Sequence, residues 1–162
     1  MVLILNQKIA EQKLKRMAYE ILENNVDEQE IILAGIRESG TVIARNIQDI
    51  LQGISTFRIT LISLYLDKKF PQEVSVSQPV ETDDKVIILV DDVANSGKTL
   101  LYALKPFLDH HPRKIQTLVL VDRTHKAFPV KPDYIGLSVA TTLQEHIHVE
   151  AEDGKVKGAW LK

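Results

Sequence analysis

The chain has 162 residues, a formal net charge of −2 and no cysteine. That length suits one domain burying about two thirds of the surface its unfolded form exposes, and the missing thiols exclude disulfides, thiol catalysis and cysteine-based zinc sites. With 44% hydrophobic and 26% charged residues the composition is that of a globular protein, and the charge balance supplies no general field for nucleic acid.

The opening Met1–Asn6 has no basic lead-in and no small-residue cleavage site, and the longest apolar runs fall short of a membrane span; the expected location is the cytoplasm, with no membrane partner. Asn6 is placed to cap a helix in which Ile9, Leu14, Met17, Ala18, Ile21 and Leu22 recur at helical spacing as far as Asn25. Glu30–Ile36 reads as an apolar strand, and Val42, Ile43, Ile47, Ile50 and Leu51 mark a second helix, closed by Gly53. Thr56–Leu66, rich in β-branched and aromatic residues, is the next strand. The polar stretch from Asp67 to Asp84 holds Pro71 and Pro79, with a short strand at Glu73–Val76, and is long enough to be a functional loop.

Lys85–Val90 is continuously apolar, the pattern of a strand buried on both faces of a parallel sheet. Leu100, Leu101, Leu104, Phe107 and Leu108 mark a helix that Pro106 kinks or ends. Ile115–Asp122, Tyr134–Val139 and Ile147–Ala151 are further strands, and Asp153-Gly154 signals a hairpin that returns the chain toward Trp160. Residues 1–162 therefore read as a single α/β domain, a mostly parallel central sheet with helices on both faces and a small C-terminal hood or hairpin. Such sheets bind ligands beyond the carboxyl ends of their strands, where "RESG", "DDVANSGKT" and "DRTHKAFP" all fall.

Ser96-Gly97-Lys98-Thr99 looks like the end of an ATPase phosphate loop, but such a loop needs a glycine five positions before its Gly-Lys pair. Asp92 stands there, and a carboxylate puts negative charge into a cradle built for negative charge. Two acids after a strand suit a different ligand. Asp91 and Asp92 can accept hydrogen bonds from a ribose diol, while the amides of Ala94–Thr99, entering a helix, hold a terminal phosphate. Diol and phosphate belong together in a ribose phosphate. The bland alternative is a pair of solvated acids followed by an ordinary turn with Ser96 as helix cap.

"IILVDDVANSGKT", Ile87–Thr99, resembles the phosphoribosyl pyrophosphate (PRPP) signature of the type I phosphoribosyltransferases. The resemblance extends toward the bifunctional pyrimidine operon attenuator and uracil phosphoribosyltransferase subfamily through "GIRESGTVIARNI" (35–47), "TLISLY" (60–65) and "LVDRTHKAFPVKPDYIG" (120–136). It implies the fold of that family and transfer of ribose 5-phosphate from PRPP to a nucleobase, uracil first, with pyrophosphate released. It also implies Mg²⁺ held mainly through PRPP, with no direct protein ligand set. Asp91 and Asp92 then hold the ribose hydroxyls, and Val93, Ala94, Asn95, Ser96, Gly97, Lys98 and Thr99 surround the 5′-phosphate. Arg37, Glu38, Ser39 and Gly40 match the pyrophosphate loop, and Tyr65 with Lys68 the start of a mobile lid. Asp122 and Arg123 match the strand end beside the base, Tyr134 the aromatic that stacks on it, and Ile135 the main chain that reads its edge.

The hypoxanthine-guanine enzymes share the Pro-Asp-Tyr-Ile-Gly run but carry a lysine at the position of Asp122, and an ionised acid cannot donate to a purine carbonyl. Ser39 stands where the subfamily usually has an arginine, and Leu66 where an arginine follows the tyrosine. These departures keep a second reading open, a PRPP- or nucleotide-binding regulator with weak or no turnover. RNA is the less favoured partner: Lys8, Lys13, Lys15 and Arg16 share the first helix with Glu11, Glu20 and Glu23, and Arg16 is spaced to pair with Glu20. By analogy with the family, a homodimer or larger homo-oligomer is expected.

Overall fold

The computed structural model describes residues 1–142 and 145–162. Six strands form the central sheet in the order β4-β3-β2-β5-β6-β7: β2 (Glu30–Ile36), β3 (Arg58–Tyr65), β4 (Ser75–Val76), β5 (Val86–Ala94), β6 (Lys114–Arg123) and β7 (Tyr134–Val139). All neighbours are parallel except the short edge strand β4. Right-handed crossover geometry needs a covering element between parallel neighbours: α2 (Ser39–Ile54) connects β2 to β3, and α3 (Lys98–Ala103) with α4 (Lys105–Leu108) connects β5 to β6, while α1 (Gln7–Asn24) precedes β2 and packs against α2 and β7.

The continuous apolar strands are explained by burial on both faces. Ile31, Leu33, Val86, Ile88 and Val90 pack into one core with the buried faces of α1 and α2, while Ile32, Ala34, Ile87 and Leu89 pack into a second with Leu100, Ala103 and Phe107 of α3 and α4. Strand alternation separates the two sets, so Asp91 follows Ile87 and Leu89 onto the face of the second core. Asn6 caps α1 as expected, its side chain accepting from Ile9 N at 2.8 Å.

Several expectations are corrected. Residues Val2–Asn6 form a strand, β1, which pairs antiparallel with β9 (Lys155–Leu161); with β8 (Ile147–Glu152) they make a three-stranded sheet β1-β9-β8, so the hood is built from both ends of the chain. The run is too short for periodicity to separate strand from coil, and its partner lies more than a hundred residues away. Gly53 does not close α2, which continues through Ile54 and is capped by Ser55, whose hydroxyl donates to Leu51 O at 2.6 Å. The fifth strand runs on through Asp91 and Asp92 to Ala94, because pairing with β6 persists to Ala94↔Asp122. The helix after it is broken into α3 and α4, with Pro106 in the first turn of the second piece. Asp153 and Gly154 both have positive φ, 53° and 73°, as a tight hairpin turn requires. Among the described residues no helix is long and apolar enough to cross a membrane.

Candidate active site

The carboxyl ends of β2, β3, β5 and β6 converge on one edge of the sheet. At its centre a cavity of about 170 Å³ is lined by Lys68, Asp91 and the run Val93–Leu100. Asp91 is 1% exposed and Asp92 is half-buried. Each acid accepts from the amide that follows it, Asp91 Oδ1 from Asp92 N at 2.9 Å and Asp92 Oδ1 from Val93 N at 2.7 Å. Burial, and next the charge of Asp92, push the Asp91 carboxyl up to about 8, against a smaller downward pull from Lys68. Lys68 reaches in from the lid, 3.3 Å from Asp91 Oδ1 and 3.6 Å from Asp92 Oδ1. Burial lowers the pKa of its ammonium, and the charges of Asp91 and Asp92 outweigh that, leaving it raised.

The loop after β5 lines this cavity, and the carbonyls of Ala94, Asn95 and Ser96 are engaged by Lys126 and by the amides of Ala127 and Phe128. Gly97 turns the chain at φ 89°, a conformation that disfavours a side chain, and a Cβ there would lie 3.2 Å from the carbonyls of Phe128 and Val130. Ser96 Oγ accepts from Lys98 N at 3.3 Å. The Lys98 ammonium does not enter the cradle as a Walker lysine does: it donates to Lys69 O of the lid at 3.2 Å. Lys105 of α4 donates to Gln72 O in the same lid. Because α3 spans six residues, the loop's own N–H groups outweigh any axial dipole in holding an anion.

A neighbouring cleft of about 490 Å³ holds Arg37, Glu38, Arg45 and Tyr65. Arg37 donates to the Tyr65 hydroxyl at 2.7 Å and lies 4.8 Å from its ring centroid. Glu38 is exposed, so its charge is solvated. Ser39 and Gly40 open α2, where Gly40 packs so tightly on β5 that a Cβ would lie 2.5 Å from Val90 O. A cleft of about 450 Å³ at the opposite end of the sheet is lined by Glu28, Glu30, Arg58, Asp84, Lys85 and Arg113, among others, but its cations already pair with its acids.

The chain matches known proteins. A family model described as a phosphoribosyl transferase domain matches residues 3–153. The chain belongs to the type I phosphoribosyltransferase family. The Bifunctional protein PyrR of Streptococcus pneumoniae strain CGSP14 is 33% identical over 153 residues, 91% of this chain and 88% of that protein. Among solved structures, a hypoxanthine-guanine phosphoribosyltransferase of Bacillus anthracis gives a TM-score of 0.73 at 18% identity over 86% of this chain and 82% of that one. The hypoxanthine phosphoribosyltransferase of Trypanosoma cruzi gives 0.77 at 12% identity, with 86% and 82% covered. At those identities the structural likeness concerns the fold.

In this phosphoribosyltransferase fold, Asp122 and Arg123 stand at the end of β6, beside the loop that follows β5. Asp122 is buried and accepts from Lys126 Nζ at 2.6 Å. Arg123 spans from Asn95 Oδ1 at 3.3 Å to Thr141 Oγ1 at 2.6 Å and Thr142 O at 2.7 Å. Tyr134 and Ile135 are not brought to the site. They open β7, which runs parallel to β6 with Tyr134 opposite Leu118, several residues short of Asp122. Tyr134 is 2% exposed in the core of α1 and α2, its hydroxyl 2.7 Å from Gln116 Oε1. The Ile135 carbonyl accepts from Arg16 at 2.9 Å. The five-residue run Pro-Asp-Tyr-Ile-Gly lies at the opening of β7, the end of that strand away from Asp122. Lys126 was missed, although its spacing of four residues from Asp122 in "DRTHK" is a legible charge pair.

Proposed function

We propose that the protein transfers the ribose 5-phosphate of PRPP to a nucleobase, uracil being the expected acceptor, with release of pyrophosphate. One observation carries this: a buried acid, Asp91, closes one side of a cavity whose other side is the glycine-turned loop Val93–Thr99. A diol and a terminal phosphate about one pentose apart are what such a pair of surfaces recognises.

In this reading Asp91 and Asp92 grip the ribose hydroxyls. A carboxyl pushed to about 8 both donates and accepts near neutral pH, which matches a hydroxyl that does the same. Val93–Thr99 receive the 5′-phosphate, and Arg37, Glu38, Ser39 and Gly40 the pyrophosphate. A ring nitrogen of the base attacks the anomeric carbon as its bond to pyrophosphate breaks, and the acids face the positive charge that develops on the sugar. Lys68 neutralises the acids in the free chain; once the diol takes that place, its ammonium moves to the leaving group, and Tyr65 and the lid exclude water. Two carboxylates leave most positions of an octahedral ion to substrate oxygens, so the residues fit Mg²⁺ held chiefly through PRPP, where it would offset the leaving charge.

Asp122 and Arg123 border the base side, and the PyrR relative supports a pyrimidine acceptor. In this reading the protein is cytoplasmic and acts as a homo-oligomer, by analogy with the family. A second reading, a ligand-binding regulator without turnover, is favoured by Ser39 and Leu66, which leave the leaving-group side short of arginine. RNA is less favoured, since Arg16 is committed to Glu20 at 2.7 Å and to the carbonyls of Ile135 and Gly136. Steady-state assay with PRPP, Mg²⁺ and a panel of bases tests the proposal: pyrophosphate release with uracil is expected, and tight PRPP binding without release from any base would replace the enzyme by the regulator.

A further inference from the structure

A loop that binds an anion through its N–H groups must turn its carbonyls away, and those carbonyls need donors. Here the carbonyls of Ala94, Asn95 and Ser96 all find donors in a single short segment, Lys126–Phe128, while Gly97 O accepts from Leu101 N of α3. Lys126 Nζ donates to Asn95 O at 3.0 Å and Ala94 O at 3.4 Å. The amides of Ala127 and Phe128 both donate to Ser96 O at 3.0 Å. Lys126 also donates to the Arg123 carbonyl and, at 2.6 Å, to Asp122 Oδ1. Its side chain is only 20% exposed, so the ammonium sits behind the loop, away from the cavity, with four oxygen acceptors for three N–H bonds.

We infer that Lys126 is a positioning residue that sets the phosphate loop, holding the carbonyls of Ala94 and Asn95 backward so that the loop's N–H groups face a 5′-phosphate. A buried ammonium is suited to this because one group can polarise several carbonyls at once, and because Asp122 balances its charge. The same contact ties the loop to the acid on the base side, so the two halves of the site are held in register through one side chain that touches neither ligand.

This inference rests on the proposed sugar-phosphate site, and the experiment separates the two. Dissociation constants for ribose 5-phosphate and for inorganic pyrophosphate with Mg²⁺ are measured by calorimetry on the wild type, Lys126→Met and Lys126→Arg. The Met variant should bind ribose 5-phosphate about tenfold or more weakly, the loss that one charge-assisted hydrogen bond carries, while pyrophosphate affinity stays within about twofold; Arg should restore most of the loss. In turnover, the KM for PRPP should rise more than kcat falls. Equal weakening toward both ligands, or unchanged ribose 5-phosphate affinity, overturns the positioning role. Should Lys126→Met not fold, Lys126→Gln, which keeps two N–H donors, carries the same comparison with a smaller loss expected, and an unchanged constant there overturns it too. A wild-type chain that does not bind ribose 5-phosphate removes the site itself, and this inference with it.

Discussion

Lys68 Nζ lies 3.3 Å from Asp91 Oδ1 and 3.6 Å from Asp92 Oδ1, so the segment after β3 sets a cation over the acid pair. The contact joins an exposed, polar segment to the end of an apolar strand, and it gives the site a charge balance that a ligand must replace.

The raised carboxyl of Asp91 makes stability depend on pH. Between its ordinary value of 3.8 and about 8 the folded chain holds a proton that the unfolded chain has released, so stability falls as pH rises through that window and the loss is complete above it. Urea midpoints at pH 5, 6.5 and 8.5 should decline more steeply in the wild type than in Asp91→Asn, where the titration is absent. Parallel profiles would show that this acid ionises normally.

Removing the lid cation should loosen the lid. In Lys68→Met, amides of Lys69 and Phe70, which donate to Asp67 Oδ1, should exchange about three- to tenfold faster, the range for losing a half-exposed charged contact. Lys98 and Lys105 still hold Lys69 O and Gln72 O, so full release is not expected. Unaltered exchange would mean that the two backbone tethers alone position the segment.

Asp92→Asn should lower kcat by about a hundredfold or more with an unchanged circular dichroism spectrum, since the side chain is half-buried and makes one local hydrogen bond. Pyrophosphate release at the wild-type rate would remove the acid pair from the chemistry.

Gly40→Ala should destabilise by about 1 to 3 kcal/mol and reduce activity together, because the added methyl meets Val90 O at 2.5 Å and Asp91 Cα at 3.2 Å. Gly53→Ala, where nothing lies within 4 Å of the added carbon, should stabilise α2 by several tenths of a kcal/mol to about 1 kcal/mol. Thermal melts of the two variants shifting the same way would contradict the packing described for the first.

What the sequence made legible was set by local rules. Asn6 announced α1, the unbroken run Val86–Val90 announced a doubly covered strand, Pro106 the break, and Asp153-Gly154 the hairpin, because capping, burial and turn chemistry act within a few residues. The acid pair and the small-residue turn after it were legible as a motif for the same reason. The strand at Val2–Asn6 was not, since its partner is Lys155–Leu161 and pairing over that distance leaves no local trace. Tyr134 failed for a different reason: its neighbours match a known motif, but a parallel strand carries its first residue and its last to opposite edges of the sheet. Lys126 was visible as a charge near Asp122, yet its role depends on which way carbonyls point, and no residue type encodes that alone.

The two-residue rhythm of β5 also decides which carboxylate is dry. Ile87 and Leu89 lead Asp91 onto the face beneath the lid, and Asp92, one step on, falls at the half-open side. Deleting any one residue of Val86–Val90 would move the second acid into the desolvated position and draw the first into the place of Val90, which is 0% exposed against the buried faces of α1 and α2. Chain length ahead of the acids, and not their identity, therefore decides which of two identical side chains is dry, and the pair is made chemically unequal by counting.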